Sequence, residues 1–197
     1  MDLLTYPARP LSGGRLGLVP KPRVHLWSAK LNGWRAVVHT PTGTMWNRHG
    51  QELTITDEFP DALEDLSRST VTWLDCEALG RRHNLGRGSL ILLDHIVPDL
   101  PATDRYHLLL EEAQRLGWPL LRIGDKPEPN RVYLLQQIAL SETAPTGKLT
   151  LQQDWAEMQR LNQQWGAEFY EGLVAKRSDS PYPIQLTPRT ELGSLTA

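Results

Sequence analysis

Two basic residues stand five positions apart around an Asn-Gly pair: Lys30 and Arg35, in the stretch SAKLNGWRAVV at residues 28–38. A lysine amine becomes a nucleophile when neighbouring cations or partial burial lower its pKa, because only the neutral form attacks. An arginine close by could receive a phosphate or a ribose. The same pattern also fits a plain hairpin with two solvated charges.

Further charged residues could complete such a site. Asp75 and Glu77 stand near the end of the apolar run WLDCEALG, and Glu171 and Lys176 belong to YEGLVAKR. Strand alternation would place Asp75 and Glu77 on one face of a sheet. Carboxylates suit Mg²⁺, and basic side chains neutralise a phosphate in transfer. The set favours nucleotide chemistry, although each piece alone is also typical of an ordinary strand end.

The elements that must position these residues include several strands. Residues 24–40 predict a strand, a turn and a second strand, and Asn32-Gly33 is a hairpin-type turn signal. Residues 69–79 and 88–97 are apolar and rich in strand-forming residues. The sequence shows no regular alternation of strands and helices, so we predict an α+β fold with antiparallel hairpins.

Two longer helices are predicted. Residues 103–117 form one, with Thr103 as the N-cap and a glycine just after its last turn. Residues 150–166 form the other, with a capping box of Thr150 and Gln153. An apolar stripe at helical spacing predicts its buried face: Leu151, Trp155, Met158, Leu161 and Trp165.

Composition limits the class of protein. The chain has 197 residues, of which 40% are hydrophobic and 22% charged, which is typical of a globular protein. Its single cysteine, Cys76, excludes an intramolecular disulfide and indicates a reducing compartment. Neither a signal peptide nor an 18-residue apolar run is evident in the sequence. We therefore expect a cytoplasmic, intracellular protein with no membrane partner.

The charge is unevenly distributed. The formal net charge is −2, yet residues 1–50 hold seven Lys or Arg residues and one acid, Asp2. This basic amino-terminal segment could contact phosphates, which predicts weak, salt-sensitive binding to nucleic acid. Chance clustering would give the same count.

The order and separation of five motifs resemble those of the covalent nucleotidyltransferases. The motifs are KLNGWR, NRHG, WLDCEALG, LILLDHI and YEGLVAKRSDSPY, across roughly residues 25–183. This superfamily comprises ATP-dependent DNA ligases, RNA ligases and mRNA capping enzymes, and the last motif is the most ligase-like. The resemblance implies two antiparallel sheets flanked by helices, with the nucleotide between them. DNA ligases and capping enzymes generally append an OB-like domain, whereas we expect no OB-fold domain in this chain.

The resemblance also implies a role for each matching residue. Lys30 matches the lysine that attacks the α-phosphate of ATP and carries AMP as a phosphoramidate. The other implied roles are nucleotide binding for Arg35, Arg48, Glu77 and Lys176, and metal binding for Glu77 and Glu171. The implied cofactors are ATP and Mg²⁺ or Mn²⁺.

The sequence departs from the family's pattern at several positions. Asn32 replaces an aspartate, Cys76 replaces a glycine, and Leu93 stands where an aromatic residue often stacks on the base. Ser28 replaces an acid that helps to read adenine, which leaves the choice of nucleotide open. Lys176 is the last lysine in the chain, so the family's final Lys-x-Lys motif has no match.

We predict a minimal ATP-dependent polynucleotide ligase, a DNA ligase of the kind used in DNA repair. It would seal 5′-phosphate and 3′-hydroxyl ends through a lysyl-AMP intermediate. The alternatives are an RNA ligase of the same superfamily, a non-catalytic nucleotide-binding relative and, less favoured, a capping-type guanylyltransferase. The expected partner is nicked or broken nucleic acid, and the expected state is a monomer. The predicted divisions are an irregular segment 1–23, an adenylation domain 24–186 and a tail 187–197.

Overall fold

The computed structural model describes residues 6–7, 24–80, 87–139, 147–166 and 168–185. The strands are β1 (Tyr6–Pro7), β2 (His25–Leu31), β3 (Trp34–His39), β4 (Thr44–Trp46), β5 (Trp73–Leu79), β6 (Ser89–His95), β7 (Leu120–Leu121), β8 (Val132–Leu135), β9 (Ile138–Ala139), β10 (Tyr170–Arg177) and β11 (Ile184–Gln185). The helices are α1 (Pro60–Leu66), α2 (Ala102–Leu116) and α3 (Gly147–Trp165). The predicted tail 187–197 and most of segment 1–23 lie outside the described residues.

Two principal sheets confirm the predicted α+β fold. The larger has six strands in the order β4-β3-β5-β6-β8-β7, and the smaller has three in the order β10-β2-β9. The smaller sheet is antiparallel throughout, whereas in the larger one β8 runs parallel to both β6 and β7. β1 pairs with β11 in a separate two-stranded sheet. No OB-fold domain occurs among the described residues. None of the helices in this part of the chain is long and apolar enough to cross a membrane.

The six-stranded sheet buries both of its faces. On β6, Leu90 and Leu92 join the core formed with α1 and α2, whereas Ile91 joins a second core. This second core also contains Ala29 of β2 and Met158 of α3. Because neighbouring strand residues point to opposite faces, one sheet separates the two cores. The second core holds the three-stranded sheet against the six-stranded one.

Two short connections join the sheets. Asn32-Gly33 leads from β2, in the small sheet, to β3, in the large one. Gln136-Gln137 leads back from β8 to β9, which pairs with the opposite end of β2. The predicted hairpin around Asn32-Gly33 is therefore wrong, because β2 and β3 pair with different partners. Gly33 is also absent from the described glycines with positive φ, which a type I′ hairpin turn would require.

Both long helices are present, but they begin earlier than predicted. α2 starts at Ala102, so Thr103 lies inside the helix, and its hydroxyl donates to the Ser178 carbonyl at 3.0 Å. α3 starts at Gly147, so the predicted capping box at Thr150 does not begin the helix. Trp155 of the predicted apolar stripe is 41% exposed, whereas Met158 is fully buried.

Candidate active site

The Asn32-Gly33 connection is held by the two residues before β10 and by a side chain of β5. The Asn32 N–H donates to the Phe169 carbonyl at 3.0 Å, and its side-chain amide donates to the Glu168 carbonyl at 2.8 Å. The Gly33 N–H donates to Glu77 Oε1 at 2.8 Å. A Cβ atom on Gly33 would lie 2.7 Å from Glu77 Cγ, so glycine is needed here for close approach rather than for a positive φ. The connection fixes Lys30 and Arg35 on neighbouring strands of different sheets.

Lys30 forms an ion pair with Glu171. β2 pairs with β10, Lys30 stands opposite Gly172, and the register shifts between Tyr170 and Gly172. Glu171 lies within this bulge, and its carboxylate contacts the Lys30 amine. Both side chains are partly exposed, at 44% and 38%, so solvent can reach the pair.

Glu77 is a second carboxylate of this site. Burial and, to a smaller extent, the Asp75 charge raise its pKa, while the Gly33 N–H and the charges of Arg35 and Lys30 oppose the rise, and the net pKa is about 7. On the strand itself, Cys76 points into the helix-side core, so Asp75 and Glu77 share the other face, as alternation predicts. Near neutral pH, Glu77 can therefore both accept and donate hydrogen bonds.

Arg35 is held by a buried carboxylate. Its Nε donates to Asp75 Oδ1 at 2.9 Å and its Nη2 to Asp75 Oδ2 at 2.5 Å. Asp75 is 1% exposed and also accepts the Tyr182 hydroxyl at 3.0 Å. Burial lowers the pKa of Arg35, but the Asp75 charge and hydrogen bonds outweigh it, so the guanidinium stays charged. The sequence did not indicate Tyr182 as a site residue.

Lys176 belongs to a second buried network. Its amine donates to Asp94 Oδ2 at 2.7 Å and contacts the Leu93 carbonyl at 3.3 Å. Arg105 of α2 also binds Asp94, with Nε 2.8 Å from Oδ1 and Nη2 3.1 Å from Oδ2. Arg105 is fully buried and Asp94 is 4% exposed. Sequence reasoning missed Arg105, because a polar residue in an amphipathic helix gives no sign of burial.

Arg48 lies apart from the other candidates. It is exposed in the turn after β4, where its Nε contacts His49 Nε2 at 3.2 Å. Trp46 pairs with Val37, so this turn lies at the Arg35 end of β3. Within the described residues Arg48 forms no ion pair with a carboxylate. It is therefore free to meet an incoming anion.

The carboxylates near Lys30 can supply only some of the ligands that a metal ion needs. Across the described ranges, no group of three or more His, Cys, Asp or Glu side chains could hold a metal ion. Glu171 touches Lys30, and Glu77 lies close enough for the Lys30 charge to lower its pKa. Mg²⁺ commonly uses one or two carboxylates together with waters and substrate phosphates. The residues present fit that mode rather than a protein cage.

The chain is similar in structure to DNA ligases. The match with a Chlorella virus DNA ligase-adenylate covers 90% of this chain and 61% of that one, with a TM-score of 0.60 and 15% sequence identity. For the ligase domain of LigD from M. tuberculosis the values are 91%, 55%, 0.60 and 20%. For a Lig E DNA ligase they are 87%, 62%, 0.54 and 14%. No known family model matches the sequence, and no curated protein is similar to it.

These likenesses confirm, at the level of fold, the resemblance to ligase adenylation domains. The chain spans about 55 to 62% of the length of these three solved structures. The fold and the arrangement of Lys30, Glu77 and Glu171 are the basis for a functional proposal.

Proposed function

We propose that this chain is the adenylation unit of an ATP-dependent polynucleotide ligase, with DNA as the favoured substrate. The carrying observation is the Lys30 amine beside two carboxylates, Glu171 and Glu77, in a chain with a ligase fold. Similar structures include a ligase-adenylate and a mycobacterial ligase with ATP, which supports ATP as the nucleotide.

In the first step, Lys30 Nζ attacks the α-phosphorus of ATP. An N–P bond forms, the bond from the α-phosphorus to the bridging oxygen breaks, and pyrophosphate leaves with that electron pair. Since only the neutral amine is a nucleophile, Lys30 must first give a proton to the Glu171 carboxylate or to water, which ends its ion pair with Glu171. Mg²⁺, when bound, would neutralise charge on the phosphate oxygens.

The chain's cations would stabilise the same step. Arg35 and Lys176 are held by Asp75 and Asp94, so their directions are fixed before the substrate arrives. Preorganised donors stabilise developing charge without reorganisation. In the later steps, AMP passes from Lys30 to a 5′-phosphate, and a 3′-hydroxyl then displaces AMP. Arg48, which is exposed and lacks a carboxylate partner in the described chain, is suited to contact the end phosphate.

Covalent labelling tests the proposal. The protein is incubated with Mg²⁺ and ATP carrying a radioactive α-phosphate, and it is then separated by denaturing electrophoresis. We expect label on the wild type and on Lys126→Ala, an exposed lysine in a loop, and none on Lys30→Ala. Label that survives Lys30→Ala would refute Lys30 as the nucleophile. Labelling by GTP rather than ATP would favour a capping-type enzyme.

A nucleotide-binding module without transfer activity is the second candidate. Lys30, Arg35 and Lys176 are each paired with a carboxylate, so less of their charge is available to a polyphosphate. Saturable ATP binding by equilibrium dialysis, without a covalent adduct, would support it.

Nicked duplexes of DNA and RNA, offered to the adenylated protein, distinguish a DNA ligase from an RNA ligase.

A further inference from the structure

The segment that follows β10 is anchored to α2 and to the loop before it. The Ser178 carbonyl accepts the N–H of Thr103 at 3.0 Å, and the Ser180 carbonyl accepts Arg105 Nη1 at 3.0 Å. The Tyr182 N–H donates to the Pro98 carbonyl at 3.1 Å. Tyr182 is consequently buried, with 3% of its surface exposed.

The Tyr182 hydroxyl reaches the carboxylate that holds Arg35. It donates to Asp75 Oδ2 at 3.0 Å, and the same oxygen accepts Arg35 Nη2 at 2.5 Å. Hydrogen bonds to a buried carboxylate are stronger than those between neutral groups, and they fix its orientation. The direction of the Arg35 guanidinium therefore depends on the Tyr182 hydroxyl as well as on the Asp75 carboxylate that binds it directly.

The Tyr182 ring reaches the second network. The guanidinium carbon of Arg105 lies 5.5 Å from the ring centroid, within the range of a cation–π contact. Arg105 holds Asp94, and Asp94 holds Lys176. One side chain therefore contacts both networks, through its hydroxyl on one side and through its ring on the other.

We propose that Tyr182 is a positioning residue that sets Arg35 through Asp75, and Lys176 through Arg105 and Asp94, for contact with the nucleotide phosphates. This inference rests on the proposed adenylation function. It differs from a purely structural role because the two parts of the side chain act on two different cations.

Two substitutions separate the parts. Tyr182→Phe removes the hydroxyl and keeps the ring, whereas Tyr182→Leu removes both. We expect Tyr182→Phe to slow adduct formation at saturating ATP about tenfold, which corresponds to about 1.4 kcal/mol. The ATP concentration at half-maximal rate should change less than twofold, and Tyr182→Leu should slow the reaction further. The matched control is Tyr133→Phe, another buried tyrosine, whose hydroxyl accepts the Glu128 N–H at 2.8 Å.

A double-mutant cycle shows whether the hydroxyl acts through Arg35. In an Arg35→Gln background, Tyr182→Phe should have no further effect on the rate. A full tenfold effect there would overturn the inference, as would wild-type rates in both Tyr182 variants. In a Lys176→Ala background, the additional effect of Tyr182→Leu over Tyr182→Phe should likewise disappear.

Urea unfolding of the Tyr182 and Arg35 variants provides a readout that needs no activity. We expect the two substitutions to be coupled by at least threefold in the folding equilibrium constant, and independent effects would overturn the contact. If the wild type forms no adduct, the proposed function fails, and this unfolding cycle still decides whether the Tyr182 hydroxyl holds Arg35 through Asp75.

Discussion

Gly33 and Glu77 are in direct contact across the β2–β3 connection: the Gly33 N–H donates to Glu77 Oε1 at 2.8 Å. A Cβ atom on Gly33 would lie 2.8 Å from the Ala78 carbonyl oxygen and 2.7 Å from Glu77 Cγ. Both distances are shorter than van der Waals contact, and one of the atoms belongs to the backbone. The strand β2, which carries the proposed nucleophile Lys30, is thus tied to a candidate nucleotide-binding carboxylate through a position that admits no side chain.

Gly33→Ala should therefore destabilise the protein by about 1–3 kcal/mol, because backbone has to move to admit the methyl group. It should also reduce Lys30 labelling, since the Glu77 carboxylate would shift. Gly117→Ala is the control: its φ of +74° is strained for alanine, but no atom lies within 4 Å of the added Cβ. That control should lose about 1 kcal/mol in urea unfolding and label normally. Equal labelling by both variants would contradict the prediction.

Glu77 should make stability fall as pH rises. Burial raises its pKa from 4.5 to about 7, so the native state keeps a proton that the unfolded state loses near pH 4.5. The free energy of unfolding should decrease between about pH 4.5 and 7 by up to about 3 kcal/mol from this group. Glu77→Gln should remove that decrease in urea titrations at pH 5 and 8. Glu52→Gln, at an exposed position, should leave it unchanged.

Glu112 should have the opposite pH dependence. Hydrogen bonds from Arg115, opposed by burial and reinforced by Ser69 and Thr70, lower its pKa from 4.5 to about 2. The stabilisation is complete above pH 4.5 and is lost as pH falls towards 2, by about 2–3 kcal/mol. In acid unfolding, Glu112→Gln should have a lower free energy of unfolding than the wild type at pH 7. Below pH 4.5 its free energy of unfolding should depend less on pH. Its exposed neighbour Glu111 is the control, and an unchanged acid profile in Glu112→Gln would refute the assignment.

The Asp94–Arg105 pair should be costly to break. Asp94→Ala leaves the fully buried Arg105 without its carboxylate, which should cost about 3–5 kcal/mol. Asp179→Ala breaks another aspartate–arginine pair, but its partners are 64% and 69% exposed, and the cost should be below about 1 kcal/mol. The double variant Asp94→Leu with Arg105→Met should recover part of the loss in urea unfolding. Equal costs for the buried and the exposed pair would count against the burial argument.

Arg48 should contribute to nucleic-acid binding through charge. If the exposed guanidinium meets one phosphate, Arg48→Ala should weaken binding to nicked duplexes of different sequence by a similar factor. The slope of log affinity against log salt should become less steep by about one. Fluorescence anisotropy at several salt concentrations measures both. Arg160→Ala, on α3 and paired with Glu157, is the control, and an equal change there would argue for general charge attraction.

Periodicity and motif order were sufficient to predict the α+β class and most strands, because apolar alternation and turn residues are local signals. The Asn32-Gly33 connection was mispredicted because the sequence does not show why a glycine is needed. A glycine required for close approach looks the same in sequence as one required for a positive φ. Trp155 continues the helical stripe of Leu151 and Met158, yet it is 41% exposed. Spacing defines the direction of a side chain but does not indicate whether a neighbouring element covers it.

The candidate site was predictable in parts. The Lys30–Glu171 pair joins residues from two motifs that the sequence singled out together. The partners of Arg35 and Lys176 were not predicted, because Asp75–Tyr182 and Asp94–Arg105 are contacts of the tertiary structure. A fully buried arginine in α2 leaves no signature in hydrophobic periodicity, since its charge marks it as a surface residue.

The two connections between the sheets lie at opposite ends of β2, at Asn32-Gly33 and at Gln136-Gln137. Because the smaller sheet is connected to the larger one at both ends of β2, it cannot rotate away from the larger sheet about one end of that strand. Rigid-body separation of the sheets would have to break the hydrogen bonds of one connection. Access for the proposed nucleotide should therefore depend on movement of side chains such as Glu171, on the edge strand β10, rather than on rigid-body separation of the two sheets.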